Sequence, residues 1–103
     1  MSARSEQFAA LVARQPGNEL FRFSLAEALM AEGRGAEAVP HLEFCVRAKA
    51  DWMLPRILLG KFLIESGRNA EAKSLLEEAL RLAIEQSHED PKREVRALLD
   101  EIE

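Results

Sequence analysis

Residues 25–47 read LAEALMAEGRGAEAVPHLEFCVR and residues 59–81 read LGKFLIESGRNAEAKSLLEEALR. Set 34 positions apart, Leu25, Ala26, Leu29, Gly33, Ala38 and Leu42 fall on Leu59, Gly60, Leu63, Gly67, Ala72 and Leu76. Other positions keep the same register: Arg22 with Arg56, Arg34 with Arg68, Ala36 with Ala70, Glu37 with Glu71, Glu43 with Glu77 and Arg47 with Arg81. Two alanine-rich helices do not align their charges by chance. The stretches are copies of one unit, and a period of this length is the signature of stacked helical hairpins.

Turn chemistry sets the limits of each helix. Pro16-Gly17-Asn18 is a turn ending in an N-cap, Asn18, whose side-chain oxygen takes an orphan amide of a helix predicted over 19–32. Gly33 supplies the left-handed residue that ends it, Gly35 reopens the chain, and a second helix is predicted over 36–49. In the second unit Asp51 and Trp52 lead into a helix running to Ser66, Gly67 ends it, and Asn69 caps a helix over 70–86. Pro40 and Pro55 are expected in the first turn or so of their helices, where a missing amide costs least. Pro55 shifts the start of its helix to Met53 or Leu54.

A further 34 positions back, Phe8 aligns with Leu42 and Leu76, and Val12 with Val46 and Leu80, so a helix over 3–15 reads as the second half of a truncated unit. At the other end Asp90-Pro91 reads as a cap followed by a first-position proline, and Val95, Leu98, Leu99 and Ile102 form an i, i+3, i+4, i+7 stripe. Lys92 and Arg93 near its start and Asp100, Glu101 and Glu103 at its end oppose the helix dipole, so tertiary packing must hold this helix. The expected organisation is a single domain over 1–103. It comprises a partial repeat helix at 3–15, repeats at 18–50 and 51–86, and a capping helix at 91–103.

With 103 residues, 48% hydrophobic and 31% charged, the composition is that of a soluble globular chain. A net charge of −4 and the lack of any basic run argue against a nucleic-acid partner. The apolar stretch at 8–13 is too short for a signal or membrane segment, and one cysteine, Cys45, makes no internal disulfide. The chain is expected to be cytoplasmic, with no membrane partner.

These residues resemble the tetratricopeptide repeat, whose pattern sets Trp, Leu, Gly, Tyr, Gly, Ala, Phe, Ala and Pro at fixed places in 34 residues. The second unit supplies Leu59-Gly60, Leu63, Gly67, Ala72, Leu76 and Ala79. The first supplies Leu25-Ala26, Leu29, Gly33, Ala38, Leu42 and Cys45, with cysteine where the family prefers alanine. Phe8 and Pro16 match the late Phe and Pro in the partial unit. Arg22 and Arg56 take the early aromatic place, and Ala50 and Ile84 stand where the closing proline belongs. The resemblance implies an all-α, right-handed helical repeat stack, a solenoid of about six helices with a C-terminal capping helix.

It also implies a protein partner, bound as a peptide or helix in a concave groove lined by the first helix of each hairpin. By position the groove residues are Leu20, Phe23, Glu27, Met30 and Ala31, then Leu54, Ile57, Lys61, Ile64 and Glu65. Family members that clamp a terminal carboxylate use lysine and asparagine at places held here by Phe23, Glu27, Ile57 and Lys61, so no such clamp is expected. The helix after Trp52 is apolar almost all round, which calls for burial on every side. The C-terminal helix, a second copy of the chain, or an amphipathic helix from another protein would cover it. Glu27 and Lys61 occupy equivalent places, and an ion pair between them is worth under about 1 kcal/mol. Arg22 and Arg56 are expected to be solvated or paired with nearby glutamates, with an acidic client as the alternative.

Catalysis and cofactors find little support. His41 and Cys45 share a helix face, but Cys45 takes the small-residue place at a tight helix contact, where a thiol is inert. The pair offers two metal ligands against the three or four that zinc takes, and Gly33-Arg34-Gly35 is a helix turn rather than a phosphate loop. Trp52 reads as a core or interface anchor. The expected function is that of a non-enzymatic protein–protein interaction module, an adaptor or assembly factor. The alternative is a structural homodimer paired through the same groove.

Overall fold

The computed structural model describes residues 3–102, and among them the chain forms six α-helices. They are α1 (Arg4–Arg14), α2 (Glu19–Ala31), α3 (Gly35–Ala48), α4 (Met53–Glu65), α5 (Asn69–Glu85) and α6 (Glu89–Ile102). This is the all-α helical repeat that the 34-residue register predicts. The helices cluster into two compact units, α1 to α3 ending at Lys49 and α4 to α6 beginning at Ala50.

In the first unit the Asn18 side chain accepts the Phe21 amide at 3.0 Å, so α2 starts where the turn sequence places it. It ends in a Schellman motif: Gly33 sits at φ 74°, the Gly33 amide donates to the Met30 carbonyl at 3.1 Å and the Arg34 amide to the Leu29 carbonyl at 2.8 Å. The hairpin buries Leu25, Ala26 and Leu29 of α2 with Ala38, Leu42 and Cys45 of α3. α1 packs on α2, and its start lacks a side-chain cap of its own. Glu32 at the end of α2 supplies one, accepting the Ser5 amide at 3.1 Å and the Ser5 hydroxyl at 2.6 Å. Those bonds to Ser5 hold the Glu32 carboxyl below the ordinary carboxylate range.

The second unit repeats the design with tighter contact. Gly67 sits at φ 76°, with its amide donating to Ile64 at 3.0 Å and the Arg68 amide to Leu63 at 2.8 Å. Leu59, Gly60 and Leu63 of α4 are buried with Ala72, Leu76 and Ala79 of α5. A methyl placed on Gly60 would lie 2.8 and 2.9 Å from the Leu76 side chain, so Leu76 packs directly on the glycine and would have to shift to admit a methyl. α6 packs on α5 and touches α4, burying Val95 and Leu99 of the predicted stripe.

Two helix starts and the depth of one proline differ from the sequence reading. Asn69 is the first residue of α5 and Arg68 occupies the cap, where no side chain caps the amides. Its guanidinium is engaged by Glu71, at 2.6 and 2.7 Å, in a two-pronged ion pair. Arg34 and Glu37 make the same fork at the start of α3, at 2.7 and 2.8 Å, which is why these charges share the repeat register. α6 begins at Glu89, so Asp90 lies inside the helix and Glu89 and Asp90 give its first turn the favourable sign. Pro40 is the sixth residue of α3, beyond the first turn, and leaves the Ala36 carbonyl without its helical amide. Both residues are exposed, so solvent reaches that carbonyl.

Candidate protein-binding faces

The first helix of each hairpin carries the residues expected at a partner surface. On α2, Leu20 is 61% exposed, Glu27 and Ala31 are exposed, and Phe23 and Met30 are half-buried. On α4, Leu54 is 48% exposed, Glu65 is exposed, and Lys61 and Ile64 are half-buried. Ile57 lies apart, at 3% exposure. The helical wheel gives the reason: Met53, Ile57 and Gly60 form one stripe at i, i+4, i+7 and Pro55, Leu59 and Leu63 another, and all six are buried. These stripes bury one broad arc of α4, and Leu54, Lys61 and Glu65 fall on the opposite arc at i, i+7, i+11. Leu58 and Phe62, half-buried, share that outward arc and extend its apolar character.

Lys61 is held within its own unit, its Nζ donating to Glu94 of α6 at 2.8 Å. The two arginines at the early aromatic place have a common job. Arg22 Nε donates to the Pro16 carbonyl at 2.8 Å, and Arg56 Nη2 to the Ala50 carbonyl at 3.2 Å. Each therefore reaches back six residues to the loop before its helix, at positions that are again 34 apart. Arg22 also stacks on Phe44, 4.4 Å from the ring centre. The residue equivalent to Phe44 is Glu78, whose carboxyl is held low by its bond to Arg81, with the Arg56 charge contributing. The sequence showed the paired arginines, but their shared carbonyl target required the path of the loop.

The same neighbourhood fixes the state of His41 and Cys45. Arg22 Nη1 lies 3.3 Å from His41 Nδ1, and a guanidinium only donates, so Nδ1 accepts and the ring proton sits on Nε2. Burial and then the Arg22 charge push the His41 pKa down. Cys45 is buried, its thiol donates to the Glu19 carbonyl at 3.4 Å, and burial pushes its pKa up to about 11. At neutral pH it is a protonated packing group rather than a nucleophile. Among the described residues no set of three His, Cys, Asp or Glu side chains is placed to hold a metal, and no helix is long and apolar enough to cross a membrane.

Residues 20–43 match the family model described as Tetratricopeptide repeat. No curated protein and no solved structure matches the chain. The matched span covers most of α2 and most of α3, whereas the sequence pattern alone counted more family-like places in the second unit. Tetratricopeptide repeats generally mediate protein–protein interaction. With the repeat register and the Schellman-ended hairpins, the chain is an all-α helical repeat protein that is similar to the tetratricopeptide repeat over residues 20–43.

Proposed function

We propose that the chain is a protein–protein interaction module, an adaptor or assembly factor, whose α2 face in one unit and α4 face in the other each offer apolar contact to a partner's peptide or amphipathic helix. The observation that carries this reading is the pair Leu20 and Leu54. They are equivalent in the repeat, each is the second residue of its helix, and they are 61% and 48% exposed. Large apolar side chains left this exposed at the same register position in both copies mark accessible apolar faces, and a partner helix with apolar anchors at i, i+3, i+4 and i+7 matches such faces. Phe23, Met30 and Ile64 add apolar area beside them. Glu27 and Glu65 set orientation, and Lys61 joins them once a partner's carboxylate replaces Glu94. Ile57 acts from beneath as packing.

A net charge of −4 supports a protein partner over nucleic acid, and the reading includes a cytoplasmic location and no catalytic role. The test is a Leu20→Glu, Leu54→Glu double variant compared with the parent chain by cross-linking and mass spectrometry in extract. Both sites are exposed, so helical circular dichroism should stay unchanged while cross-links to partners fall at least tenfold. Retention of the same partners at the same yield would refute the assignment of the faces.

A further inference from the structure

A pocket of about 310 Å³ lies in the second unit, where the segment leading into α4 meets the turn between α5 and α6. Trp52, Leu54 and Pro91 supply apolar wall, and Asp51, Gln86 and His88 supply polar groups. The two segments are tied together, because Gln86 Nε2 donates to the Asp51 carbonyl at 2.9 Å, so the walls are braced rather than loose. Among the described residues the carboxylates of Asp51 and Asp90 have no hydrogen-bond or ion-pair partner, and Asp90 precedes Pro91 in the first turn of α6. Of the chain's 14 basic and 18 acidic residues, eight and twelve follow Lys49, so the second unit carries the whole net charge of −4 and the first carries none.

We infer that this pocket receives an arginine side chain presented by a partner protein. A long cationic side chain has an apolar stem and a charged head, and it needs a wall for the first and a counter-charge for the second. Trp52, Leu54 and Pro91 form the wall, and the Asp51 carboxylate meets the head in a unit whose field is negative. A guanidinium suits the site better than an ammonium because it is less strongly hydrated, stacks on an indole and pairs with a carboxylate through two donors. An acidic side chain is disfavoured by the same charges. The site is complete within the second unit, so it stands independently of the assignment of the α2 face and goes beyond it.

Trp52 is the only tryptophan and the chain has no tyrosine, so indole fluorescence reports on Trp52, which lines this pocket. The experiment titrates the full chain with an acetylated, amidated pentapeptide, Gly-Leu-Arg-Leu-Gly, and with analogues carrying norleucine or glutamate in place of the arginine. The expected result is a saturable change with the arginine peptide, binding at least tenfold weaker for norleucine, and no response to glutamate. Asp51→Asn keeps the backbone carbonyl that Gln86 reaches. It should leave helical circular dichroism unchanged while weakening the arginine peptide at least fivefold and flattening its salt dependence. No saturable response to the arginine peptide, equal binding of the norleucine analogue, or parent-like binding by Asp51→Asn would each overturn the inference. The peptide series on the parent chain decides the matter even if the variant folds poorly.

Discussion

The hairpins α2–α3 and α4–α5 share one packing plan and differ in how each position is filled. Leucines at 25, 29 and 42 and at 59, 63 and 76 build both cores, and glycines at 33 and 67 end both first helices in the left-handed conformation. The first hairpin has Ala26, Phe44 and a capped start at Asn18. The second has Gly60, Glu78 and a start at Trp52 with no side-chain cap. The first hairpin also tolerates Pro40 within its second helix, where the second has Ser74. The leucines that build the cores and the glycines that reverse the chain are held constant, whereas the close contact between the helices is filled by Ala26 in one hairpin and Gly60 in the other. Positions that face solvent or the arginine latch vary, because several chemistries satisfy them.

The sharpest way to break this comparison is at the closest approach. Leu76→Ala should cost about 3 kcal/mol in urea unfolding, as should Leu42→Ala, since both side chains are fully buried. Gly60→Ala should cost about 1 to 2 kcal/mol, because the new methyl meets Leu76, and that cost should vanish in the Leu76→Ala background. Additive costs in the double variant would show that the contact between Gly60 and Leu76 is not what requires a glycine.

A second difference can be erased. Pro40→Ser makes the first hairpin like the second and restores the amide for the Ala36 carbonyl. It should raise stability by about 2 kcal/mol, measured as a rise in the urea midpoint at constant slope. An unchanged midpoint would mean that solvent already satisfies that carbonyl at no cost.

The smallest effects concern the helix ends. α5 closes with the same pair of bonds as α2 and α4, from the Ser87 amide to Ile84 at 3.1 Å and the His88 amide to Ala83 at 2.9 Å, yet Ser87 at φ 58° stands where the other two have glycine. Gly67→Ala should lose about 1 kcal/mol by backbone strain alone, since nothing lies within 4 Å of the added methyl. Ser87→Gly should gain about 0.5 to 1 kcal/mol. Equal and negligible changes in thermal unfolding at both sites would remove the left-handed assignment.

Much of the fold was legible because packing repeats and turns have strong local chemistry. Gly33, Gly67 and Asn18 act as their residue types dictate, and the 34-residue register located both hairpins. What escaped depended on partners distant in sequence or on weak local signals. Ser87 carries no glycine to announce a left-handed end. Asn69 has the right chemistry for a cap but Arg68 takes that place, and the start of α6 at Glu89 precedes the more obvious Asp90-Pro91 signal. Of the candidate surface, Leu20 and Leu54 follow from position alone. The burial of Ile57 and the pairing of Lys61 with Glu94 depend on how α4 is turned against α5 and α6, which periodicity on an almost wholly apolar helix does not specify.

The central claim is that the exposed apolar faces await a different protein and are not satisfied by a second copy of this one. Sedimentation equilibrium over a wide concentration range tests it directly. The account predicts a monomer throughout, for the parent chain and for the Leu20→Glu, Leu54→Glu variant alike. A tight dimer that the double variant dissolves would contradict it and make the same faces a self-association interface.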